Sequence, residues 1–455
     1  MVAAIGLPLA SASASQWAIA AGAAVIVVYA LTSRRLDATP VTAAIFFVTC
    51  GFLLGSHGAG VIDPAAGSES VRVLAEVTLT LVLFADASRL DLTALRGEYQ
   101  VPLRLLAVGL PLTIMAGWGL AAVLFTSLTA GEAALLAIIL APTDAALGQA
   151  VVTDERLPSR IRQGLNVESG LNDGICVPVL FIALAAADAE AGAKTTHGAV
   201  TLVAEAIGYG TLLGAVAGLG GALLLRLAVR HRLAEAAWIQ VVPVGTAALA
   251  YGLAAPLGGS GFIAAFVAGL TFGALRGRAE ETYMLDELGG LANAATFIVF
   301  GAAIVGPVLA RATWAEALYA ILSLTVVRMV PVAISLLGTR AQLPTVLFTG
   351  WFGPRGLASI VFTVIVIDES DLAHVSTISA VVVLTIVMSV YAHGVTARPL
   401  TSRYAAWYAA HRERRPAAME AVEAGHQRWR RPAAIPVLGG AGAPEEQPAG
   451  PAGTG

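Results

Sequence analysis

Charge is what this chain has least of. Asp, Glu, Lys and Arg make up 13% of its 455 residues, against about a quarter in soluble domains, while hydrophobic residues make up 57% and mean hydropathy is +0.79. The chain reads as a polytopic membrane protein, in which the net charge of -3 says little, and no nucleic-acid partner is expected. Cysteine is also scarce. Cys50 and Cys176 both fall in apolar segments, where thiols act as small hydrophobes, so neither disulfide nor zinc chemistry is expected. No cofactor motif is present; "GGSGFIAAFVAG" has tempting glycine spacing, but it follows no strand and lies in an apolar span. The N-terminal "MVAAIGLPLASASASQ" lacks the basic stretch of a signal peptide and is read as an uncleaved lead-in.

What the chain does have is long apolar runs. A helix needs about 20 such residues to cross the hydrocarbon core, and thirteen segments reach or approach that length, centred on 16–32, 40–55, 72–87, 102–126, 132–152, 163–187, 198–229, 237–254, 258–275, 290–306, 315–337, 343–367 and 373–397. The expected fold is therefore an all-α polytopic membrane protein. Arginines gather in alternate connections: Arg34 and Arg35; Arg89 and Arg96; Arg156, Arg160 and Arg162; Arg226, Arg230 and Arg232; Arg276 and Arg278; Arg340. The opposite connections hold only Arg72, Lys194 and Arg311. Basic residues stay cytoplasmic, so the N-terminus is expected outside and the C-terminus inside. Residues 401–455 read as a cytoplasmic tail, first basic and amphipathic, then a disordered Gly/Pro/Ala stretch.

The transmembrane domain, 1–400, divides into matching halves. Segment five is interrupted at Pro142, Thr143 and Asp144, and segment twelve at Gly353, Pro354, Arg355 and Gly356; each is the fifth span of a six-span unit. Paired interruptions of this kind point to discontinuous helices around a transporter's midplane site. With 198–229 as a linking helix, repeat one (16–187) and repeat two (237–397) have opposite topology.

Chemistry concentrates in "LNVESGLNDGICVP". Glu168 with Asn172, and Ser169 with Asp173, are four residues apart, so on a helix they make two columns of one polar face. An ionisable residue in the bilayer costs at least about 2.5 kcal/mol and is a functional candidate by default; the alternative is a hydrogen-bonded network that only glues helices. Beside Pro142, carbonyls freed from helical pairing could join Asp144 and Asp173 in an oxygen cage for a monovalent cation such as sodium, or Asp144 could cap its own second half-helix. Two arginines lie within spans: Arg328 needs a buried partner, for which Glu168 is the candidate, and Arg355 is placed to support the helix ends at its break. Asp86 is read as an interfacial or capping residue, His393 as structural, and Gly210, Gly214 and Gly218 as a close-packing stripe.

Taken together, "ESGLND" (168–173), "PTD" (142–144), Arg328, "FIAAFVAGLTFG" (262–273), "GWFGPRGLASIVF" (350–362) and "HGVTARPL" (393–400) resemble the monovalent cation:proton antiporter-1 family, over about residues 14 to 400 and in the expected order. The resemblance implies a thirteen-helix fold with a dimerisation domain and a moving six-helix core, a homodimer in the lipid bilayer of the inner (cytoplasmic) membrane, and exchange of sodium, with potassium as alternative, for protons. It implies that Asp173 is the shared cation and proton carboxylate with Asn172 beside it, that Asp144, Thr143, Glu168 and Ser169 complete or support the site, and that Arg328 pairs with Glu168. The Asn172–Asp173 pair implies one-for-one, electroneutral exchange. Gly170 stands where many members have a bulkier residue and Ala145 where many have proline, which leaves Pro142 alone to break segment five. The competing reading from another class is a cation channel lined by the same carboxylates; a membrane enzyme lacks a nucleophile.

Overall fold

The computed structural model describes residues 14–37, 39–62, 68–90, 100–190, 192, 196–275, 282–369, 372–411 and 418–421. The N-terminal lead-in and most of the tail lie outside them. The described residues fold into helices and connections, with no strand among them. In chain order the helices are α1 (Ala14–Leu36), α2 (Ala43–Leu54), α3 (Ser68–Arg89), α4 (Gln100–Leu124), α5 (Ala130–Ile139), α6 (Ser159–Glu190), α7 (Thr196–Arg230), α8 (Ala236–Leu257), α9 (Gly261–Leu275), α10 (Tyr283–Leu309), α11 (Trp314–Ser335), α12 (Leu343–Trp351 and Leu357–Glu369) and α13 (Val375–His411).

Eight of these, α1, α4, α6, α7, α8, α10, α11 and α13, are long and apolar enough to cross a membrane; α2, α5, α9 and the second half of α12 are apolar but shorter. The expected spans fall on helices among the described residues, and eight of those helices meet the requirement on length and hydropathy. α3 falls short because it carries Glu69, Arg72, Glu76, Asp86 and Arg89. Large side chains such as Leu31, Val123, Leu212, Leu224 and Trp238 stand exposed on the helices, the apolar surface that lipid covers.

Close helix contacts hold the bundle together. Gly210, Gly214 and Gly218 of α7 form a stripe against α9, where a Cβ on Gly214 would come within 2.4 Å of the Ala264 carbonyl oxygen. No side chain fits there, and the two backbones meet directly. α4 and α10 each contain a π-helical stretch, Leu105–Gly109 and Phe300–Val305. Both are followed within two residues by a proline, Pro111 and Pro307. A proline has no N–H for the carbonyl four residues back, here Ala107 and Ala303, and wider π pairing absorbs the mismatch.

Two features differ from the sequence reading. α11 is broken at Thr325, whose backbone is non-helical at φ -111°, ψ -90°, although neither glycine nor proline stands there. α13 does not stop near residue 397: it runs to His411, so the start of the tail continues a membrane helix. The reason is packing, since Tyr404 stacks on Phe348 of α12 at 4.3 Å and its hydroxyl meets Thr345 Oγ1 at 2.9 Å.

Candidate functional site

The two interrupted helices cross at their interruptions, and each supplies what the other's ends lack. A helix end leaves unpaired carbonyls at its C-terminus and unpaired N–H groups at its N-terminus, with partial charges to match. α5 ends at Ile139, and its terminal carbonyls find donors on α12: Ser359 Oγ donates to Ile139 O at 2.7 Å, and Arg355 Nη1 donates to Ala141 O at 2.7 Å and Pro142 O at 3.0 Å. The second half of α12 begins at Leu357, whose N–H donates to Asp144 Oδ2 at 3.0 Å. The Asp144 N–H donates in turn to Pro354 O at 2.8 Å. A cation thus sits at a carbonyl end and an anion at an N–H end.

Asp144 also serves its own chain. Its Oδ1 accepts from Ala146 N at 2.8 Å and Leu147 N at 3.4 Å, which turns the backbone toward the single helical turn Gln149–Val152 without help from residue 145. The approach of α12 is so close that a Cβ on Gly356 would lie 2.1 Å from Asp144 Oδ2. Gly356→Ala should therefore push the carboxylate off the Leu357 N–H, and for the cation exchange expected from the sequence this means rates lower by at least about tenfold, the factor that corresponds to one charge-assisted hydrogen bond. Initial rates in vesicles check this; an unchanged rate would show that the position of Asp144 is not critical.

α6 lays its polar face against this crossing. Ser169 Oγ donates to Thr143 O at 2.5 Å and Asn172 Nδ2 donates to Thr143 Oγ1 at 2.7 Å. The carbonyls of residues 141 to 143, expected to be free for a cation, each already accept a protein donor; every carbonyl oxygen keeps a second lone pair. Asp173 is different. It is buried, the charges that reach it are those of Asp144 and Asp86, and its Oδ1, like Asn172 Oδ1, has no hydrogen-bond partner. An unpaired buried carboxylate oxygen costs on the order of 1–3 kcal/mol or more, so a structure that keeps one provides a place for a proton or a cation.

Glu168, one turn away, is in the opposite condition. Arg328 Nη1 and Nη2 donate to its Oε1 and Oε2 at 2.5 and 2.8 Å, a two-pronged pair with both partners 2% exposed. The guanidinium lies against the break of α12, since a Cβ on Gly353 would be 2.4 Å from Arg328 Nε. The pair joins α6 and α11 and rests on α12.

The structure thus brings Pro142, Thr143, Asp144, Glu168, Ser169, Asn172, Asp173, Arg328 and Arg355 together. Gly170 lies against Asp86 of α3, with a Cβ reaching 3.4 Å from Asp86 Cβ; Asp86 pairs with Arg89 at 2.9 Å, and Arg89 also meets Asp286. Sequence reasoning missed Ser359 and Ser389, the second of which accepts at its hydroxyl from Arg355 N at 2.7 Å. An isolated serine in an apolar helix gives no local signal. No cluster of three or more His, Cys, Asp or Glu side chains fit to hold a metal ion occurs among the described residues. Outside the membrane, the Arg156 side chain, by hydrogen bonding, holds Asp154 below the usual carboxylate range in the connection before α6.

Comparison with known proteins bears on the family and the fold. The chain is 30% identical over 287 residues to a K(+)/H(+) antiporter NhaP2 of Shewanella sp. (strain MR-4), covering 61% of this chain and 47% of that protein. It is 27% identical over 236 residues to a Na(+)/H(+) antiporter of Schizosaccharomyces pombe, covering 49% of each. The chain thus spans about half the length of the curated relatives it matches. The structure of the sodium proton antiporter MjNhaP1 from Methanocaldococcus jannaschii superposes with a TM-score of 0.72 at 18% identity, over 87% of this chain and 99% of that one, which shows a shared fold. The family profile described as "Sodium/hydrogen exchanger, transmembrane" matches residues 22–403. The chain belongs to the sodium/hydrogen exchanger family.

Proposed function

We propose that this protein is a secondary antiporter that exchanges a monovalent cation, sodium or potassium, for a proton across the cytoplasmic membrane, with Asp173 as the shared site. The observation that carries this reading is the buried, unpaired Asp173 Oδ1 beside a crossing of two broken helices. The deprotonated carboxylate binds the cation, with oxygens of Thr143, Ser169, Asn172 and Asp144 around it. Protonation removes the charge and releases the cation. Both events use one carboxylate, so they exclude each other, and that exclusion couples the two fluxes. Asn172 offers no second proton, which makes the exchange one-for-one and electroneutral. Glu168, held by Arg328, serves as scaffold, while Arg355 and Pro142 hold the break.

Access alternates by movement of a six-helix core against a dimerisation domain in a homodimer, with repeats 16–187 and 237–397 inverted about the 198–229 linker. The crossing of α5 and α12 supports the repeat, and the arginine-rich alternate connections support an N-terminus outside and a C-terminus inside. The test is dequenching of a pH probe in everted vesicles on addition of sodium, potassium or lithium in turn. We expect dequenching with at least one cation, and in proteoliposomes uphill cation accumulation driven by a pH gradient and indifferent to an imposed potential. Downhill flux alone would mean a channel; response to potential would overturn the stoichiometry.

A further inference from the structure

α13 carries Ser389 and His393 four residues apart, as α6 carries Ser169 and Asp173. Just as the α6 pair faces the break of α5, the α13 pair faces the break of α12. Both residues are buried. Ser389 Oγ accepts from Arg355 N at 2.7 Å, two residues before the second half of α12 begins. His393 Nε2 lies 2.9 Å from Trp351 O, at the last residue of the first half. The imidazole also stacks on the Trp351 indole at 5.0 Å, and the indole Nε1 donates to Thr396 Oγ1 at 3.0 Å.

The neighbours of the two ring nitrogens fix the direction of the hydrogen bonds. Nε2 faces only the Trp351 carbonyl, which can only accept, so Nε2 carries the proton of the neutral ring and donates to Trp351 O. Nδ1 faces two oxygens of residue 389, the hydroxyl at 3.2 Å and the carbonyl at 2.9 Å. With its one proton on Nε2 the neutral ring has none on Nδ1, the carbonyl can only accept, and the hydroxyl has a proton to give, so Nδ1 accepts from Ser389 Oγ. One chain results, from Arg355 N–H to Ser389 Oγ–H to His393 Nδ1, and from Nε2–H to Trp351 O. The charged groups facing the ring are Arg355 and Arg328, both cations, which suits a neutral imidazole.

We infer that Ser389 and His393 are positioning residues for the cation site: together they splint the break of α12. The segment they fix, 352–356, leads into the Leu357 N–H and contains the Pro354 carbonyl, the two backbone groups that hold Asp144. In the first half of the chain the position four residues after the serine holds the working carboxylate; in the second half it holds a neutral brace. The inference rests on the proposed antiport at Asp173, because cation affinity is its readout.

The test uses the purified full chain in proteoliposomes, with KM for whichever of sodium or potassium the parent exchanges, and the rate measured as a function of pH. His393→Ala and Ser389→Ala should each raise KM about five- to tenfold, the factor that one buried hydrogen bond corresponds to, with maximal rates within about twofold and an unshifted pH profile when the cation is held at the same multiple of each variant's KM. His393→Gln, whose amide nitrogen can reach the Trp351 carbonyl, should restore most of the affinity; His393→Asn, which is one carbon shorter, should not. Should His393→Ala fail to fold, the Gln and Asn variants decide. An unmoved KM in the Ala variants, or equal KM in the Gln and Asn variants, overturns the inference. A shifted pH profile in His393→Gln overturns it as well, because the ring would then carry a transported proton. A parent protein without exchange defeats the antiport reading itself; exchange by the parent with unmoved KM in the variants defeats only the splint.

Discussion

Asp173→Asn abolishes cation-dependent proton movement and at the same time makes the protein more resistant to heat: this is the expected result, and the second half separates it from ordinary damage. The substitution keeps the shape of the side chain and removes its ability to take up a proton or balance a cation, so exchange in proteoliposomes should drop to the level of empty vesicles. Stability should move the other way. Asp173 is buried, within reach of two other carboxylates, with one oxygen lacking a partner, and burial of a charge without a partner is among the costliest local arrangements a protein can keep. A neutral amide relieves that cost, as at other sites where function and stability conflict. A melting point raised by a few degrees together with lost exchange supports the assignment. Retained exchange would remove Asp173 from its central role; lost exchange in an unfolded protein would say nothing in its favour.

Arg328→Ala should produce the opposite pattern, with stability failing first. Removing the guanidinium strands Glu168 as an uncompensated anion in a site that excludes water, and breaking a buried pair costs about 3–5 kcal/mol. Arg328→Lys should fare little better, because an ammonium cannot make the two parallel contacts that the guanidinium makes at 2.5 and 2.8 Å. The informative variant is the double replacement Glu168→Met with Arg328→Met. If the pair is scaffold, an apolar substitute restores thermal stability close to that of the parent and leaves measurable exchange. Single variants as stable as the parent would show that the pair holds nothing together. A double variant that is stable but inactive would give Glu168 a direct part in ion binding.

How much of this was legible in the chain depends on the range over which each feature is encoded. Hydropathy marks where the helices lie, and Pro142 and Gly353–Pro354 mark the two interruptions, because those residues act on the backbone where they stand. The four-residue spacing of Glu168, Ser169, Asn172 and Asp173 marks one polar face, since helical period is local as well. The division of labour between the two carboxylates is less local: it depends on which acid meets Arg328, 160 residues away. Glu168 is the candidate on sequence, but only the packing of α6 against α11 brings the two side chains together. The donors that Arg355, Ser359 and Leu357 provide to α5 follow only from the crossing of two helices, and no motif encodes a crossing. The break of α11 at Thr325 has no residue that demands it, and the packing of Tyr404 that carries α13 to His411 is a tertiary effect that overrides a change in composition near residue 400.

That last helix has a mechanical consequence. At 1.5 Å per residue its 37 residues extend about 55 Å, whereas a bilayer with its headgroups is about 40–45 Å thick. One helix therefore runs from the Ser389 and His393 contacts, through Pro399, to an end about 27 Å from His393 along the axis. A pull, a bound partner or a bulky label at residues 406–411 would act as a load on a lever whose other arm rests on the joint of α12.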